Sequence, residues 1–262
     1  MDWSEGRSVE TPVQQSHPRG VFAAGWLLDR MEEADPPRPV LVEWLDLALA
    51  RGTLVQPLSI LPRLNRMVGD GDDELACRIA ALLPRSYDFD FEGALQLEKT
   101  LLSREANVRT ALAGELDEII RRRGIASFDL LDSLLDDSAV EVVQVATNAL
   151  RLCQAIDSTG FTRRCIQISK HPGLRVRRQF AQAVLRDYIE HNPSDEAGIT
   201  ISLWLDNDEI IRSRLRELLL HMTDSYPDEL LSILNRIIAI GGQESLSDFW
   251  RVLSVRSEEL AV

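Results

Sequence analysis

Long apolar runs are missing from this chain of 262 residues. No run reaches the roughly 18 residues that a membrane-spanning helix requires. The opening sequence MDWSEGRSVETPVQQSHPRG is polar and lacks the basic-then-apolar order of a secretory signal peptide. The sequence therefore predicts a cytoplasmic protein that makes no contact with a membrane.

Cysteine and histidine are scarce, and their spacing is not that of a metal site. The three cysteines, Cys77, Cys153 and Cys165, include no CxxC pair, and the four histidines include no HxxxH or HExxH pattern. The glycine motifs that bind nucleotide phosphates are also absent. The sequence therefore predicts no metal, no cofactor and no catalytic residue, and we expect the cysteines to be buried free thiols.

Basic residues are in deficit. There are 29 of them against 42 acidic residues, which leaves a formal net charge of -13. The basic and acidic counts are 10 and 17 in residues 1–103, 13 and 12 in 104–192, and 6 and 13 in 193–262. Because a negative charge of this size repels phosphate backbones, the sequence favours a protein partner with a basic surface over nucleic acid.

The chain contains an internal repeat. Each repeat is predicted to hold two helices, and the segments that align with one another are the second helix of each pair, which we call the second helices. Five segments align, with starts 33, 34, 34 and 35 residues apart: LACRIAALL at 75–83, VRTALAGEL at 108–116, VVQVATNAL at 142–150, VRRQFAQAV at 176–184 and IRSRLRELL at 211–219. Each has apolar residues at its first, fifth and ninth positions, which lie on one face of an α-helix. Each segment is therefore predicted to be an amphipathic helix with a buried stripe.

Shorter apolar-periodic stretches, the first helices, alternate with the second helices. They lie at 91–102, 128–135, 161–169 and 197–205. The last, AGITISLWL, has β-branched residues typical of strands, but its place in the repeat favours a short buried helix. The polar turns SREAN, DDSAV, HPGLR and DNDEI are predicted to cap the second helices. Since no single pair can bury its apolar face, the pairs are expected to stack.

The regions outside the repeat are less regular. Residues 1–19 have few large apolar side chains and are predicted to be a flexible N-terminal arm. Residues 20–70 are predicted to form an irregular helical N-terminal cap, in which Trp26 faces the core and Pro62 bends the third helix. Residues 71–262 hold the repeats, with a C-terminal capping pair at 227–255, and the acidic run at 70–74 is predicted to cap a helix.

The second helices identify a family resemblance. Val108-Arg109, Val176-Arg177 and Ile211-Arg212 resemble the Val-Arg pair of HEAT repeats and the related armadillo repeats, over roughly residues 70–255, although Ala76 and Val143 replace the arginine in two segments. The resemblance implies an all-α fold, a right-handed α-solenoid of antiparallel helix pairs. It also implies that the repeat arginines pair with acids of adjacent turns.

The resemblance further implies a concave face made by the second helices, where a partner would bind. The positions expected to face it are Asn107, Thr110, Glu141, Gln144, Asn148, Arg175, Arg178, Gln182 and Ser213. Arginines clustered at 121–123, 163–164 and 175–178 are the candidates for an anion-binding ridge, with structural ion pairs as the alternative.

A non-enzymatic protein–protein interaction scaffold, an adaptor or a regulatory subunit of a larger complex, is the function that these features favour. One alternative is an inhibitor or immunity-type protein that masks a basic nucleic-acid-binding partner. The other is a nucleic-acid-binding protein that resembles the HEAT-like DNA glycosylases, which would need a basic concave face and aromatic residues around a flipped base. Trp204 and Trp250 fall in apolar periods and are predicted to be core residues instead.

Overall fold

The computed structural model describes residues 26–31, 33, 39–50, 60–70, 72–241 and 247. All regular structure in these residues is helical, and none of them lies in a β-strand, so the prediction of an all-α fold is confirmed. Among them, no helix has both the length and the apolar character needed to cross a membrane. The predicted arm at 1–19, Trp250 and nearly all of the second half of the predicted capping pair lie outside the described residues.

The chain divides between Leu101 and Leu102 into two compact units. Residues 26–31 form helix α1 of the first unit. It is followed by α2 (Pro39–Ala50), α3 (Ile60–Asp70), α4 (Asp73–Ala80), α5 (Leu83–Phe89) and α6 (Phe91–Leu102), which ends at the boundary. The second unit contains α7 (Ala106–Gly114), α8 (Leu116–Arg123), a 3₁₀ turn at Gly124–Ser127, α9 (Phe128–Leu135), α10 (Val140–Thr147), α11 (Leu150–Cys153), α12 (Ser158–Ser169), α13 (Leu174–Ala183), α14 (Leu185–His191), α15 (Ile199–Trp204), α16 (Glu209–Ser225) and α17 (Pro227–Gly241).

Helix α4 is the centre of the first unit, since α2 and α3 both pack against it. It begins after Asp72, whose carboxylate accepts a hydrogen bond of 2.7 Å from the Leu75 N–H. The predicted capping role of this acidic run is therefore confirmed. Pro62 lies in the first turn of α3, where its missing N–H deprives the helix of no hydrogen bond, and α3 continues to Asp70.

The prediction that Trp26 faces the core is wrong. Its side chain is 49% exposed, because α1 buries the face that carries Leu27, Leu28 and Met31. At the surface, the Arg30 guanidinium lies 5.7 Å from the centre of the indole ring.

The repeat stripe predicted from sequence is buried at every position. None of its residues is more than 5% exposed, and they are Leu75, Ile79, Leu83, Val108, Leu112, Leu116, Val142, Ala146, Leu150, Val176, Phe180, Val184, Ile211, Leu215 and Leu219. Burying each large aliphatic side chain contributes about 1.5–3 kcal/mol. In the second unit the second helices also contact one another in sequence order, α7 with α10, α10 with α13, and α13 with α16.

Most second helices are longer than predicted and are interrupted near the end of the repeated segment. At Glu115 and at Asn148–Ala149 the backbone N–H groups bond three residues back, for example Glu115 to Leu112 at 3.0 Å. Such bonds tighten the chain locally to a 3₁₀ turn. A similar break separates α4 from α5, and Val184 separates α13 from α14, whereas α16 continues through Ser225.

The first helices lie where the sequence predicts them. α6 and α9 have the predicted bounds, α12 begins slightly earlier, and the β-branched stretch forms α15. Trp204 at the end of α15 is buried, as predicted. In the second unit α12 contacts α15, and α15 contacts α17.

The loop between α14 and α15 is built around a buried carboxylate. Asp195 is 0% exposed and has a left-handed backbone, with φ of 47°. Its side chain accepts hydrogen bonds from the Tyr188 hydroxyl at 3.0 Å, the Ile199 N–H at 2.9 Å, and both the N–H and the hydroxyl of Thr200. The Arg236 guanidinium, 3.9 Å from the carboxylate, also donates to the Asp195 carbonyl at 2.9 Å. Asp195 therefore joins α14, α15 and α17.

Candidate partner-binding groove

A groove of about 300 Å³ runs across three successive second helices of the second unit. Small side chains line it where these helices are interrupted, namely Ala113 and Gly114, then Val145 and Ala149, then Ala183. Large side chains at these positions would fill the space between neighbouring helices. The groove therefore follows from the recurrence of small residues at the ends of α7, α10 and α13.

Gly114 marks the open part of the groove. A Cβ built on it would meet no atom within 4 Å, so the first atom of a side chain at this position displaces no neighbour. The residue ends α7 in an ordinary helical conformation, and no positive φ requires a glycine there. Substitution at Gly114 is therefore a means of filling the groove while keeping the fold.

Three polar side chains also line the groove, those of Asp117, Asn148 and Arg151. Asp117 and Arg151 form an ion pair of 2.7 Å with side chains 26% and 52% exposed. The hydrogen bond to Asp117 raises the pKa of Arg151. Asn148 accepts a hydrogen bond of 2.5 Å from the Gln179 amide. A ligand would thus meet one side-chain amide, from Asn148, and one pair of opposite charges.

Of the positions expected to bind a partner, only Asn148 lines this groove. Asn107, Glu141, Arg175, Gln182 and Ser213 are exposed on the second helices, and Gln144 is half-buried. The hydroxyl of Thr110 donates to the Ala106 carbonyl of its own helix at 2.7 Å. Arg178 pairs with Asp208 at 2.6 Å.

The other residues that line the groove are not among the positions that the sequence predicted to bind a partner. Positions 113, 148 and 183 are each 35 residues apart, and small residues stand at or beside them. That spacing was available in the sequence, but small residues in an amphipathic helix are equally typical of close helix packing.

The repeat arginines act mainly as structural ion pairs, as the resemblance implies. Arg109 donates to Asp137 at 2.6 and 2.9 Å and to the Arg104 carbonyl. Arg177 likewise donates to Asp206 at 2.7 Å and to the His171 carbonyl at 2.9 Å. Each guanidinium therefore joins the turn before its own helix to the turn before the next second helix.

Arg212 differs from these two. It pairs with Glu209 of its own helix at 2.8 Å.

Side-chain caps are rarer than the sequence predicted. Of the four polar turns SREAN, DDSAV, HPGLR and DNDEI, only the last, before α16, supplies one: the Asp208 carboxylate accepts a hydrogen bond of 3.2 Å from the Ile211 N–H. In the turn DDSAV the Asp137 carboxylate instead accepts hydrogen bonds from the Ala139 N–H and from Arg109.

The repeat that lies between those of Arg109 and Arg177 has neither the arginine nor the aspartate of the ion pair. Val143 stands 34 residues from both Arg109 and Arg177, and His171 stands in the turn position of Asp137 and Asp206. The His171 Nδ1 accepts a bond of 3.0 Å from the Gly173 N–H, as Asp137 does from Ala139 and Asp206 from Asp208. The turn is therefore kept while the ion pair is lost.

A double-mutant cycle tests this equivalence. Val143→Arg alone is expected to lower the free energy of unfolding by about 2 kcal/mol, because it puts an unpaired guanidinium at a buried position. His171→Asp alone is expected to change it by less than about 0.5 kcal/mol, since the carboxylate still accepts the turn N–H. Combined, the two changes are expected to recover about 1 kcal/mol or more through a new ion pair. Additive effects in urea denaturation would show that the two positions are not coupled.

The remaining arginine clusters are also largely paired. Arg121 and Arg122 lie near Glu118, at 3.7 and 2.8 Å, and Arg163 near Asp132, at 3.1 Å. Arg175 is exposed and forms no ion pair with any residue in the described part of the chain. The arginine clusters of residues 104–192 therefore leave little positive charge uncompensated.

Arg164 is the most deeply buried of these cations. Its side chain is 3% exposed and bonds Asp132 at 2.5 and 2.9 Å, with Asp157 3.6 Å away. Its guanidinium carbon lies 4.6 Å from the centre of the Phe128 ring. Gly160 gives it room, because a Cβ there would lie 2.6 Å from the Arg164 Nη1. This arginine joins α12 to α9 and is not available to a ligand.

The cysteine prediction is confirmed for two residues. Cys153 and Cys165 are buried and free, and burial raises the pKa of Cys153 to about 12 and that of Cys165 further still. Both are thus protonated thiols at neutral pH. Cys77 is also free but only half-buried. In the described ranges, no three His, Cys, Asp or Glu side chains are grouped so as to hold a metal ion.

Comparison with protein-family models, with curated proteins and with solved structures finds no match to this chain.

Proposed function

We propose that this protein is a non-enzymatic protein–protein interaction scaffold, an adaptor or a regulatory subunit, whose helices form a right-handed α-solenoid of HEAT-like pairs. The partner would bind on the exposed face of the second helices, across the groove lined by Ala113, Gly114, Ala149 and Ala183. The groove is the observation that carries the proposal, because it crosses three helices that contact one another in sequence order.

The composition of the groove supports a polypeptide ligand. Small side chains allow the backbone of a partner to approach closely, and the Asn148 amide can both donate and accept hydrogen bonds. The Asp117–Arg151 pair at the border offers one charge of each sign. Stacked helix pairs present such extended surfaces in other repeat proteins.

The proposal is tested by comparing how much partner protein the wild-type chain and a groove-filling variant capture from the native host. Gly114→Trp fills the groove, and we expect it to reduce capture of the specific partner about tenfold or more, since about 1.4 kcal/mol of lost binding is enough for that change. Capture is measured by quantitative mass spectrometry of proteins retained by immobilised wild-type and variant chains.

Two matched variants accompany Gly114→Trp. Gly114→Ala leaves the groove open, should retain capture, and is expected to raise the free energy of unfolding by about 0.4–1 kcal/mol because it restricts the unfolded chain. Gly69→Trp places the same side chain on another helical glycine with no atom near its Cβ, on α3 of the first unit. Equal capture by all four proteins would contradict the proposal, and retention of nucleic acid at low salt in place of a protein would favour the nucleic-acid alternative.

A further inference from the structure

A second cavity lies elsewhere in the second unit, between α14 and the carboxyl end of α16. Its volume is about 200 Å³. Its floor is apolar, since Ile189, Leu218 and Met222 line it and are each at most 4% exposed. A cavity of this shape accommodates one long side chain with an apolar stem.

The rim of this cavity is polar and mainly acidic. Glu190 and Asp224 stand on it with His221 and Tyr226, and Arg186 on the same rim is already paired with Glu190 at 2.8 Å. The carboxyl end of α16, a helix of 17 residues, lies at the rim and carries the negative end of the helix dipole.

The charge around the cavity is also negative beyond its rim. Asp187, one turn before Glu190 on α14, has its pKa raised first by burial and then by the Glu190 charge. The carboxylates of Glu190 and Asp224 and the carboxyl end of α16 therefore favour a cation at the rim over an anion.

We propose that this cavity binds a single arginine side chain of the protein partner. The methylene stem packs on Ile189, Leu218 and Met222, and the guanidinium reaches Asp224 and the carboxyl end of α16 at the rim. Arginine fits better than lysine because its planar group stacks on an aromatic ring, which Tyr226 supplies, while it donates to a carboxylate. This inference rests on the proposed interaction function and assigns a second contact to the same partner.

The cavity contains a convenient spectroscopic probe. Met222 is the only methionine among the described residues that lines it. Met31 and Met67 belong to the first unit and serve as internal references in the same spectrum. The full chain is therefore labelled with [methyl-¹³C]methionine and titrated with Nα-acetyl-arginine amide, and separately with Nα-acetyl-citrulline amide, which has the same shape without the charge.

We expect the arginine compound to shift the Met222 methyl signal in a saturable way, with a dissociation constant on the order of 1 mM for a ligand of this size. The citrulline compound should bind about tenfold more weakly or not at all, because it cannot form charge-assisted hydrogen bonds. Asp224→Asn should weaken binding of the arginine compound about fivefold. Asp228→Asn removes one negative charge from α17, outside the cavity lining, and should leave binding unchanged.

Three results would overturn the inference: no saturable shift at Met222, an equal response to citrulline, or equal losses in the two aspartate variants. The inference and the proposed function fail separately. If Gly114→Trp abolishes partner capture but Met222 does not respond, only the arginine cavity is wrong. If Met222 responds as expected but Gly114→Trp captures the partner normally, the groove is not the binding face.

Discussion

Replacing Asp195 with alanine is expected to lower the free energy of unfolding by about 3–5 kcal/mol. The carboxylate is completely buried and accepts hydrogen bonds from Tyr188, Ile199 and Thr200. Its removal would leave the two N–H groups and two hydroxyls buried without this acceptor, and each such loss costs about 1–3 kcal/mol before relaxation. Since small domains are stable by about 5–15 kcal/mol in total, the loop and α15 would be severely weakened.

Glu196 provides the matched control for Asp195. It is the next residue along the chain, carries the same charge and is exposed. Glu196→Ala is expected to change the free energy of unfolding by less than about 0.5 kcal/mol. Urea denaturation followed by circular dichroism compares the two variants, with amide hydrogen exchange of α15 as a local measure. A cost for Asp195→Ala no larger than that for Glu196→Ala would mean that the buried network does not stabilise the loop.

Removal of the Asp132 carboxylate is expected to cost about 3 kcal/mol, because it leaves the Arg164 guanidinium buried without its main partner. Arg164 is almost entirely excluded from solvent and makes both of its short carboxylate contacts to Asp132. The other acid near it, Asp157, is 3.6 Å away and caps α12 through a bond of 2.9 Å to the Gly160 N–H. Asp157 therefore replaces Asp132 only in part.

A second substitution distinguishes an unpaired charge from lost packing. Arg164→Met added to Asp132→Ala should recover much of the lost stability, because replacing both members of a buried pair with apolar groups is often neutral. Asp129→Ala removes an exposed acid from the same helix, α9, and should have little effect. If the double variant is less stable than Asp132→Ala alone, the guanidinium contributes more through its packing on Phe128 than its unpaired charge costs.

The helical repeat could be predicted because its cause is local. A residue such as Val108, Val142 or Val176 marks a stripe whose spacing depends only on helix geometry, and every stripe position is buried. Helix α15 was also predicted correctly, because the position of its residues in the repeat outweighed their preference for a β-strand. Trp26 was misassigned because one apolar residue at the edge of a helical face does not fix where that face ends.

The groove and the cavity could not be predicted in the same way. The groove lies where the second helices are interrupted, at Glu115 and at Asn148–Ala149, and no residue type in the sequence marks these interruptions. The arginine cavity combines Ile189 with Met222, which are far apart in sequence and on different helices. The Arg109–Asp137 pair was anticipated only because a family resemblance implied it.

Methyl NMR of the partner complex tests the central claim most directly. Once the captured partner is in hand, it is added to the full chain labelled at alanine and valine methyl groups. If the partner binds in the groove, the largest shifts fall on Ala113, Val145, Ala149 and Ala183, which line it, and Gly114→Trp suppresses them. Shifts that leave these four methyl groups unchanged while other surfaces respond would contradict this claim.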